Sequence, residues 1–464
     1  MNEKTVFDID EASIWSSLAA AAQPEIGRVR EILAKARLLQ GISVDEIAVL
    51  MSVTDVDLTA EMFETARYVK DTIYGKRLVL FAPLYISNLC ANECVYCAFR
   101  AKNLEVRRRS LSQEEIARET RILIDQGHKR VLLVAGESYP EQGFQFVLDA
   151  IQTIYSVKNG NGEIRRVNVN IAPLSTEEFS LLKQSHIGTY QLFQETYHRE
   201  SYKKVHLSGK KANYHWRLSA IDRAMVAGID DCGIGVLFGL FDWRFEVLAL
   251  MQHVRHLEAA FGVGPHTISV PRLEPATGSD LAEDPPHPVS DVDFRKIVAI
   301  LRMAVPYTGM IMSTRETPEM RRETFALGVS QISAGSRTNP GGYAESARDD
   351  MSQFSLGDHR SLDEVICDVT KLGYVPSFCT GCYRLGRTGA DFMDLARPGD
   401  IKEHCDPNAA STFQEYLEDY GTDASRQVGE KAIETFINAM DADSERRSRI
   451  MVAKVKQGKR DVYR

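Results

Sequence analysis

Six of the eight cysteines fall into two tight groups, and their spacing is the strongest sign of chemistry in the chain. The first group, Cys90, Cys94 and Cys97, has the spacing Cys-x3-Cys-x2-Cys. Three thiolates on one short loop can hold three irons of a 4Fe-4S cube and leave the fourth iron open to a small molecule. A zinc knuckle is the alternative, but no nearby Cys or His completes the four ligands that a structural zinc site requires.

The second group has the spacing Cys-x2-Cys-x22-Cys and consists of Cys379, Cys382 and Cys405. It again offers three ligands, which an iron-sulfur cluster with one open iron explains. A zinc site completed by His404 is the alternative, because zinc accepts His beside Cys.

Four further residues have plainer interpretations. Cys232 and Cys367 have no partner spacing, so we expect them to pack as small apolar side chains. Gly233 and Gly235 indicate tight packing between strands, with close approach of a substrate as the alternative.

Regular elements have to position the cysteine groups, and from about residue 78 short apolar runs alternate with amphipathic stretches. Eight such runs predict an α/β fold, a (β/α)8 barrel of TIM type, with an open doubly wound sheet as the alternative. The runs are 78–86, 131–134, 167–171, 189–193, 233–238, 267–270, 309–312 and 329–333. Capping boxes that start the intervening helices are predicted at 112–115, 175–178 and 361–364.

The same patterns divide the chain into three parts. We predict an N-terminal helical extension over 1–75, the barrel over 76–375 and a mostly helical C-terminal module over 376–464 that carries the second cysteine group. The Gly- and Pro-rich segment 335–342 follows the eighth strand, where barrels carry functional loops.

Composition excludes several classes of protein. The 464 residues are 44% apolar and 26% charged, as in ordinary globular proteins. A net charge of -8 argues against binding to nucleic acid or anionic lipid, and we interpret the basic run 107–109 as a solvated face at a helix start. No apolar stretch reaches the roughly 18 to 20 residues of a membrane helix, and the opening residues lack the pattern of a signal peptide. We therefore expect a cytoplasmic protein that binds neither nucleic acid nor membrane.

The first cysteine motif, with Tyr96 before its last cysteine, resembles that of the radical S-adenosylmethionine (SAM) enzymes. In that superfamily the open iron binds SAM, and an electron from the cluster cleaves SAM to methionine and a 5′-deoxyadenosyl radical. The resemblance implies that Tyr96 lies near the adenine and that Glu137 contacts the SAM amino group, although Ala135 departs from the usual Gly-Gly-Glu. It also implies that Glu195 and Arg217 contact polar groups of SAM, with a surface ion pair as the alternative.

Both cysteine motifs together resemble those of the HydG family, the tyrosine-cleaving maturases of FeFe hydrogenase. Segments 190–198, 264–272 and 312–316 also look like the family. The resemblance implies cleavage of L-tyrosine to p-cresol and dehydroglycine, and conversion of dehydroglycine to CO and cyanide. An auxiliary 4Fe-4S cluster with an additional iron, bridged by free cysteine, would carry these ligands as an iron-carbonyl-cyanide synthon. Implied partners are HydE- and HydF-type maturases and an electron donor such as ferredoxin.

His266 precedes the sixth predicted strand, where a lone histidine is usually a core or rim residue. Its match to a family histidine implies that it binds the additional iron. The start of a strand faces the N-terminal mouth of a barrel, whereas the first cysteine group follows a strand and faces the other mouth. We therefore expect two sites at opposite ends and a sheltered passage between them, because dehydroglycine hydrolyses in water.

An amino-acid substrate needs a guanidinium for its carboxylate. Arg315, beside Ser313 at the end of the seventh predicted strand, is our first candidate for this contact. Arg272 is the second substrate-binding candidate, and it could instead orient SAM or pair with Glu274.

Two other functions stay open at this point. A ThiH-like 2-iminoacetate synthase of thiazole biosynthesis shares the barrel motifs but lacks the C-terminal cysteine group. A non-catalytic iron-sulfur scaffold would need neither SAM nor a tyrosine pocket, so Glu137 and Arg315 argue against it. The sequence singles out no side chain as catalytic in its own right, and two open clusters predict oxygen sensitivity and an anaerobic host.

Overall fold

Eight parallel strands close into a barrel at the centre of the computed structural model, which describes residues 7–345 and 351–464. Neighbouring strands follow one another along the chain, and the first strand also pairs with the eighth. In that closing pair, Val79 lies opposite Gln331 and Phe81 opposite Ser333. This closure confirms the predicted (β/α)8 fold and excludes an open doubly wound sheet, in which the two outer strands do not pair with each other.

The strands show one pattern that the sequence predicts and one that it does not. In chain order they are β1 (Arg77–Ser87), β2 (Arg130–Ala135), β3 (Lys158–Asn159), β4 (Gly162–Glu163), β5 (Arg166–Asn170), β6 (Tyr190–Gln191), β7 (Cys232–Gly235), β8 (Thr267–Ser269), β9 (Gly309–Met312), β10 (Gln331–Ser333) and β11 (Val375–Ser377). Each predicted run overlaps one of the eight barrel strands. The sequence does not predict the β3–β4 hairpin or β11, which runs parallel to the start of β1.

Helices surround the barrel and extend it at both ends of the chain. They are α1 (Glu11–Ala20), α2 (Ile26–Ala36), α3 (Val44–Met51), α4 (Val56–Tyr74), α5 (Gln113–Asp125), α6 (Gln145–Ser156), α7 (Thr176–Gln184), α8 (Arg199–Val205), α9 (Tyr214–Leu218), α10 (Ala220–Val226), α11 (Trp243–Phe261), α12 (Asp280–Glu283), α13 (Asp291–Ala304), α14 (Pro318–Leu327), α15 (Leu362–Lys371), α16 (Gly381–Arg384), α17 (Gly389–Ala396), α18 (Ile401–Asp419), α19 (Asp423–Asn438) and α20 (Ala442–Lys456), with a short 3-10 turn at Lys210–Ala212. Of the first four, α1 and α3 pack against α11, and α4 packs against α13 and α14, while α2 packs on α3 and α4. Helices α16 to α20 follow β11.

The three predicted capping boxes are present at the starts of α5, α7 and α15. In each box the serine hydroxyl accepts the N–H of a glutamate three residues later, and that glutamate accepts the serine N–H. These caps begin the helices at fixed residues and so fix the loops that precede them. The residues before Phe7, where a signal peptide would begin, lie outside the described part of the chain. Among the described helices, none combines the length and the apolar character needed to cross a membrane.

Alternate residues of β1 face two environments. Leu78, Leu80, Ala82 and Leu84 are fully buried in the core between strands and helices. Phe81, Pro83 and Tyr85 instead line a cavity inside the barrel. The interior of this barrel therefore has room for ligands, whereas small barrels of this type are usually filled by side chains.

Candidate functional site

The first cysteine group lies on the loop that follows β1, at the C-terminal mouth of the barrel. Gly136, after the end of β2, packs directly against this loop, since a Cβ there would lie 2.2 Å from the carbonyl oxygen of Leu89. On the other side of the loop, the N–H of Val95 donates to the carbonyl of Val205 (3.0 Å). Backbone contacts on both sides therefore hold the three cysteines in place.

The sulfur atoms of this group are suited to an iron-sulfur cluster. Sγ of Cys97 accepts the N–H of Phe99 (3.4 Å), and hydrogen bonds to sulfur are among the features that tune such clusters. Burial raises the pKa of the Cys97 thiol to about 11, so binding of iron has to displace a proton. Over residues 7–345 and 351–464, no three His, Cys, Asp or Glu side chains converge as one metal ion requires.

A buried network of charged side chains lies beside the cysteine loop. Arg217 donates through Nη1 to Oε1 of Glu137 (2.8 Å) and through Nη2 to Oε1 of Glu195 (3.3 Å). Lys211 donates to the same oxygen of Glu195 (2.7 Å), and Nδ2 of Asn92 donates to Oε2 of Glu137 (2.7 Å). The Arg217 side chain is only 4% exposed, so this is not the surface ion pair of the alternative interpretation.

The same network controls the charge of Glu137. Burial raises the pKa of this carboxyl, but the positive charges of Arg217 and Lys211 outweigh burial and hold the pKa below its usual value. Glu137 is therefore an ionised acceptor, and a carboxylate has room for more donors than the two it has here.

Tyr96 is fixed by hydrogen bonds and faces the same region. Burial lowers the pKa of His206, so its ring is neutral. Nδ1 of His206 lies 3.0 Å from the Tyr202 carbonyl, to which it donates, so Nε2 accepts the Tyr96 hydroxyl (2.9 Å). The Tyr96 ring, whose centroid is 5.7 Å from Nζ of Lys211, lines the cavity inside the barrel.

This upper cavity measures about 1100 Å³, counting the part open to solvent. On one side its wall includes Tyr96, Cys97, Glu195 and Lys211, and on the other Glu274, Ser313 and Arg315. Cys97 of the first cysteine group and the predicted substrate residues Ser313 and Arg315 thus share one cavity, which is large enough for a cofactor and a small substrate.

Arg315 has free donors in this cavity. Its guanidinium carbon lies 3.2 Å from the centroid of the Phe354 ring, and no described residue accepts a hydrogen bond from its side chain. Burial lowers its pKa, but the group remains a cation at neutral pH. The Ser313 hydroxyl accepts the N–H of Arg315 (3.3 Å) and so helps to fix the backbone there. A buried guanidinium with free donors is what a substrate carboxylate requires.

Arg272 lies elsewhere, and its predicted contact with substrate finds no support in this position. It does not belong to the wall of the upper cavity. Its Nε donates to Glu316 (2.9 Å) and its Nη1 to Asp291 (2.8 Å), because β8 has ended and the side chain turns outward. The alternative pairing with Glu274 is absent too, since Glu274 lines the cavity instead. Burial and the nearby Glu316 raise the pKa of Glu274 to about 7.

The second cysteine group lies at the opposite, N-terminal mouth. Cys379 and Cys382 follow β11, and Cys405 lies on α18. The N–H of Gly381 donates to Sγ of Cys379 (3.3 Å). A lower cavity of about 630 Å³, again counting its open part, is lined by all three cysteines and by His266.

His266 is held in a form that can bind a metal. Burial lowers its pKa, so the ring is neutral, which is the form that ligates metals. Its Nε2 and the Tyr383 hydroxyl are 3.0 Å apart, and its Nδ1 lies 3.8 Å from Oδ2 of Asp231. His404 does not line the lower cavity, and its Nδ1 accepts from Arg387 (3.0 Å). The zinc site completed by His404 therefore lacks its fourth ligand.

Sequence reasoning misses several polar residues of both sites. Lys211 and Asn92 join the upper network, while Arg77 and Arg130 line the lower cavity. Arg130 donates to the Cys379 carbonyl (2.7 Å). Arg77 and Arg130 stand at the starts of strands, where a buried cation is a sign of a site at the N-terminal mouth.

The two cavities approach each other along β1 and β10. On β1, Val79 lines the lower cavity and Phe81 the upper one. On β10, Gln331 lines the lower cavity and Ser333 the upper one. Residues two apart in a strand are separated by roughly 7 Å, so along these strands only the adjacent layers of side chains at Val79 and Phe81 separate the cavities.

The structure also shows where Gly233, Gly235, Cys232 and Cys367 pack. A Cβ at Gly233 would lie 2.5 Å from Thr267 Oγ1, and one at Gly235 2.7 Å from the Phe193 ring, as tight packing between strands requires. Cys232 is 1% exposed and packs in the core, whereas Cys367 is half-buried on α15 and belongs to neither cavity wall.

The chain is similar to known protein families, to a known enzyme and to solved structures. Residues 84–251 match the model of the radical SAM superfamily, and residues 269–375 match that of the biotin and thiamin synthesis associated domain. The 2-iminoacetate synthase of Escherichia coli (strain K12) is 32% identical over 350 residues, which are 74% of this chain and 88% of that protein. A crystal structure of HydG, described as a maturase of the FeFe-hydrogenase, superposes with a TM-score of 0.95 and 48% identity, covering 98% of this chain and 99% of that one. The HydG structure from Carboxydothermus hydrogenoformans gives 0.83 and 40%, covering 95% and 97%.

Proposed function

The chain belongs to the HydG family of radical SAM lyases, and we propose that it cleaves L-tyrosine to p-cresol and dehydroglycine and converts dehydroglycine to CO and cyanide. The observation that carries the proposal is that one barrel has a cavity at each mouth, the upper one walled in part by Cys97 of the first cysteine group and the lower one by the whole second group. A lyase that performed only the first cleavage would have no use for the lower cavity.

At the upper site the first cysteine group would hold a 4Fe-4S cluster, with Tyr96, Glu137, Glu195 and Arg217 around SAM. When bound, these cofactors supply a 5′-deoxyadenosyl radical. The ionised carboxylate of Glu137 can accept the SAM ammonium in addition to its present donors. Arg217 and Lys211 balance the charge of both glutamates, so the network keeps its carboxylates ionised in a buried place.

The same cavity would bind tyrosine beside SAM. The free guanidinium of Arg315, backed by the Phe354 ring, would bind the substrate carboxylate, and Ser313 would keep the backbone of Arg315 in place. Apolar groups such as Leu132, Val134, Leu237 and Ile311 in the wall would exclude water from the reacting carbon.

At the lower site the second cysteine group would hold an auxiliary 4Fe-4S cluster, and His266 would bind the additional iron. That iron, together with free cysteine, is cargo that would leave as an iron-carbonyl-cyanide synthon for H-cluster assembly by HydE- and HydF-type maturases. The neutral ring of His266 in the cavity wall supports this assignment. The proposal includes a cytoplasmic location and an electron donor such as ferredoxin, as the sequence predicts.

The alternative, a ThiH-like 2-iminoacetate synthase, is favoured by the 32% identity to the Escherichia coli enzyme. Such an enzyme would release dehydroglycine and make neither CO nor cyanide. A non-catalytic scaffold would leave the free guanidinium of Arg315 and the upper cavity without a role.

The test uses anaerobically reconstituted protein with SAM, dithionite and L-tyrosine, and quantifies p-cresol, CO and cyanide. We expect all three products from the wild type. The variant Cys379→Ala/Cys382→Ala should still form p-cresol but no CO, because the lower site alone has lost its ligands. Cys367→Ala is the matched control, since this cysteine lies outside both cavity walls, and it should form all three products. Formation of p-cresol without CO or cyanide by the wild type would establish the ThiH-like function instead.

A further inference from the structure

Exposed cations surround the loop of the first cysteine group, although the chain as a whole carries a net charge of -8. We call them the basic rim, and they are Lys102, Arg107, Lys203, Lys204 and Lys210. Within the described chain, only Lys203 of these five has a carboxylate within 4.0 Å, that of Glu200 at 2.7 Å. The other four cations are free to act on a partner.

Backbone hydrogen bonds connect the basic rim to the cysteine loop. The N–H of Lys102 donates to the Glu93 carboxylate (2.8 Å), one residue before Cys94. On the opposite side, the N–H of Leu207 donates to the carbonyl of the same Glu93 (2.9 Å). The segments that carry these cations, 102–107 and 203–210, are therefore both attached to the cysteine loop, and Ala91 between Cys90 and Cys94 is exposed.

Two large apolar side chains lie within this charged surface. Leu104 is 95% exposed and Leu207 is 59% exposed. Neither contributes to the core, and an apolar centre with a charged rim is the usual composition of a transient protein interface.

Acidic groups limit the positive surface on one side. The Ser279 hydroxyl, at the start of α12, donates to the Val95 carbonyl (2.7 Å) and so joins α12 to the cysteine loop. α12 carries exposed Asp280 and Glu283. Glu105 and Glu200, the partner of Lys203, are exposed acids beside the rim cations, while Glu93 is buried and paired with Arg100 (3.0 Å). An acidic partner would be attracted to the rim and repelled by α12, which gives docking a direction.

We propose that the basic rim, with Leu104 and Leu207, is the docking surface for a small acidic electron-transfer protein that reduces the cluster at the first cysteine group. The proposal rests on the proposed function in one respect, the presence of a reducible cluster there. One electron leaves the reduced centre of the donor and enters the cluster, so the donor is oxidised by one electron and no bond forms or breaks in this step. The lower site opens at the other end of the barrel, so docking of the donor leaves the exit of the product free.

The test compares two ways of supplying electrons to the same holoenzyme. Ferredoxin, kept reduced by NADPH and its reductase, is the acidic donor, and dithionite is the small-molecule donor. For Lys102→Glu/Lys204→Glu/Lys210→Glu we expect the rate of p-cresol formation at a fixed concentration of ferredoxin to fall about tenfold or more, because attraction at the rim becomes repulsion. Formation with dithionite should be unchanged, which also shows that the variant is folded. Added salt should slow the ferredoxin-driven reaction of the wild type and not that of the variant.

The matched control reverses the same number of charges at the other end of the molecule. Lys431→Glu/Lys454→Glu/Lys456→Glu lies on α19 and α20, where these lysines are exposed and have no carboxylate partner among the described residues. This control should retain the ferredoxin-driven rate. Equal losses in the two triple variants, or none in either, would overturn the proposal.

Direct binding separates this proposal from the proposed function. Affinity of the holoprotein for ferredoxin, measured by titration calorimetry, should be weakened by the rim variant even if tyrosine proves to be the wrong substrate. If the rim variant binds ferredoxin as the wild type does and instead loses a HydF-type maturase, the surface serves that other protein and the proposal is wrong. Absence of p-cresol from the wild type with dithionite would count against the proposed function alone.

Discussion

The environment of the Arg315 guanidinium allows a quantitative prediction. Because its donors are free in the upper cavity, Arg315→Lys replaces a two-pronged donor by a single ammonium. Loss of one charge-assisted hydrogen bond costs about 1.5 to 3 kcal/mol, so KM for L-tyrosine should rise by about 10- to 150-fold. Steady-state p-cresol formation measures KM, and SAM binding, measured separately, should not change.

Arg272→Lys is the matched control for that substitution. Arg272 is engaged by Glu316 and Asp291 outside the cavity, and lysine keeps the charge that these acids require. We expect KM for tyrosine to stay near the wild-type value. A large rise in KM for Arg272→Lys together with an unaltered Arg315→Lys would reverse the two assignments.

The difference between these two arginines marks the limit of sequence reasoning at this scale. Cysteine spacing predicts the first group and the Cys379–Cys382 pair because these ligands are close in sequence. Cys405 is a more distant ligand that α18 brings to the pair. Arg315 and Arg272 each follow a barrel strand, and the sequence does not tell which of them turns inward. Lys211 and Asn92 are missed because their contacts with Glu195 and Glu137 join segments that are distant along the chain.

Helix α18 carries Cys405, and a buried ion pair attaches this element to the barrel. Glu415 accepts from Nη2 of Arg165 (2.6 Å), and Nζ of Lys129 lies 3.5 Å away. Burial raises the pKa of Glu415, but Arg165 and Lys129 lower it more, so the folded-state pKa lies below the ordinary value. The pair therefore stabilises the fold above the unfolded pKa of about 4.3, and that stability is lost as pH falls through the folded pKa.

From this pair we predict that Glu415→Gln lowers the free energy of unfolding by about 3 kcal/mol near neutral pH, because two buried cations lose a carboxylate. Arg165 keeps Asp461 (3.3 Å) and Glu163 (3.6 Å) as partners. The difference from wild type should shrink below about pH 4, where the carboxylate becomes protonated. Denaturant titrations at both pH values measure it. Iron analysis should show that the variant loses the cluster at the second cysteine group before the first.

Glu418→Gln on the same helix is the control for position. Glu418 is exposed, so its substitution should change stability by less than about 0.5 kcal/mol. Equal effects of the two substitutions would mean that the buried pair does not attach α18.

The elements themselves were predictable to different degrees. Runs of apolar residues and capping boxes predict the eight barrel strands and the starts of α5, α7 and α15 because these signals are local. β11 is three residues long and pairs with β1 across most of the chain, so no local pattern indicates it. That strand leads directly into Cys379, and the position of the second cysteine group therefore depends on a contact that the sequence does not reveal.

At the scale of the whole molecule, the two cavities lie at opposite ends of the barrel, and the proposed function assigns one half-reaction to each. The predicted order of strand ends was sufficient to place His266 and the first cysteine group at opposite mouths, because parallel strands all point the same way. The width of the interior between them was not predictable, since it depends on which side chains fill the barrel. Val79 is the side chain from β1 that faces the lower cavity next to that interior layer.

A larger side chain at this layer should separate the two half-reactions. Val79→Phe adds bulk between the cavities, so p-cresol formation should continue while CO and cyanide per p-cresol fall severalfold. Dehydroglycine that cannot cross would leave by the upper mouth and hydrolyse to glyoxylate and ammonia, so glyoxylate should rise by the amount that CO loses. Val79→Ala, which widens the layer, is the control and should keep the wild-type ratio of CO to p-cresol. If Val79→Phe retains that ratio with both clusters loaded, the intermediate reaches the lower site by another route. If both variants lose CO equally, Val79 acts through the packing of the second cysteine group rather than through the passage.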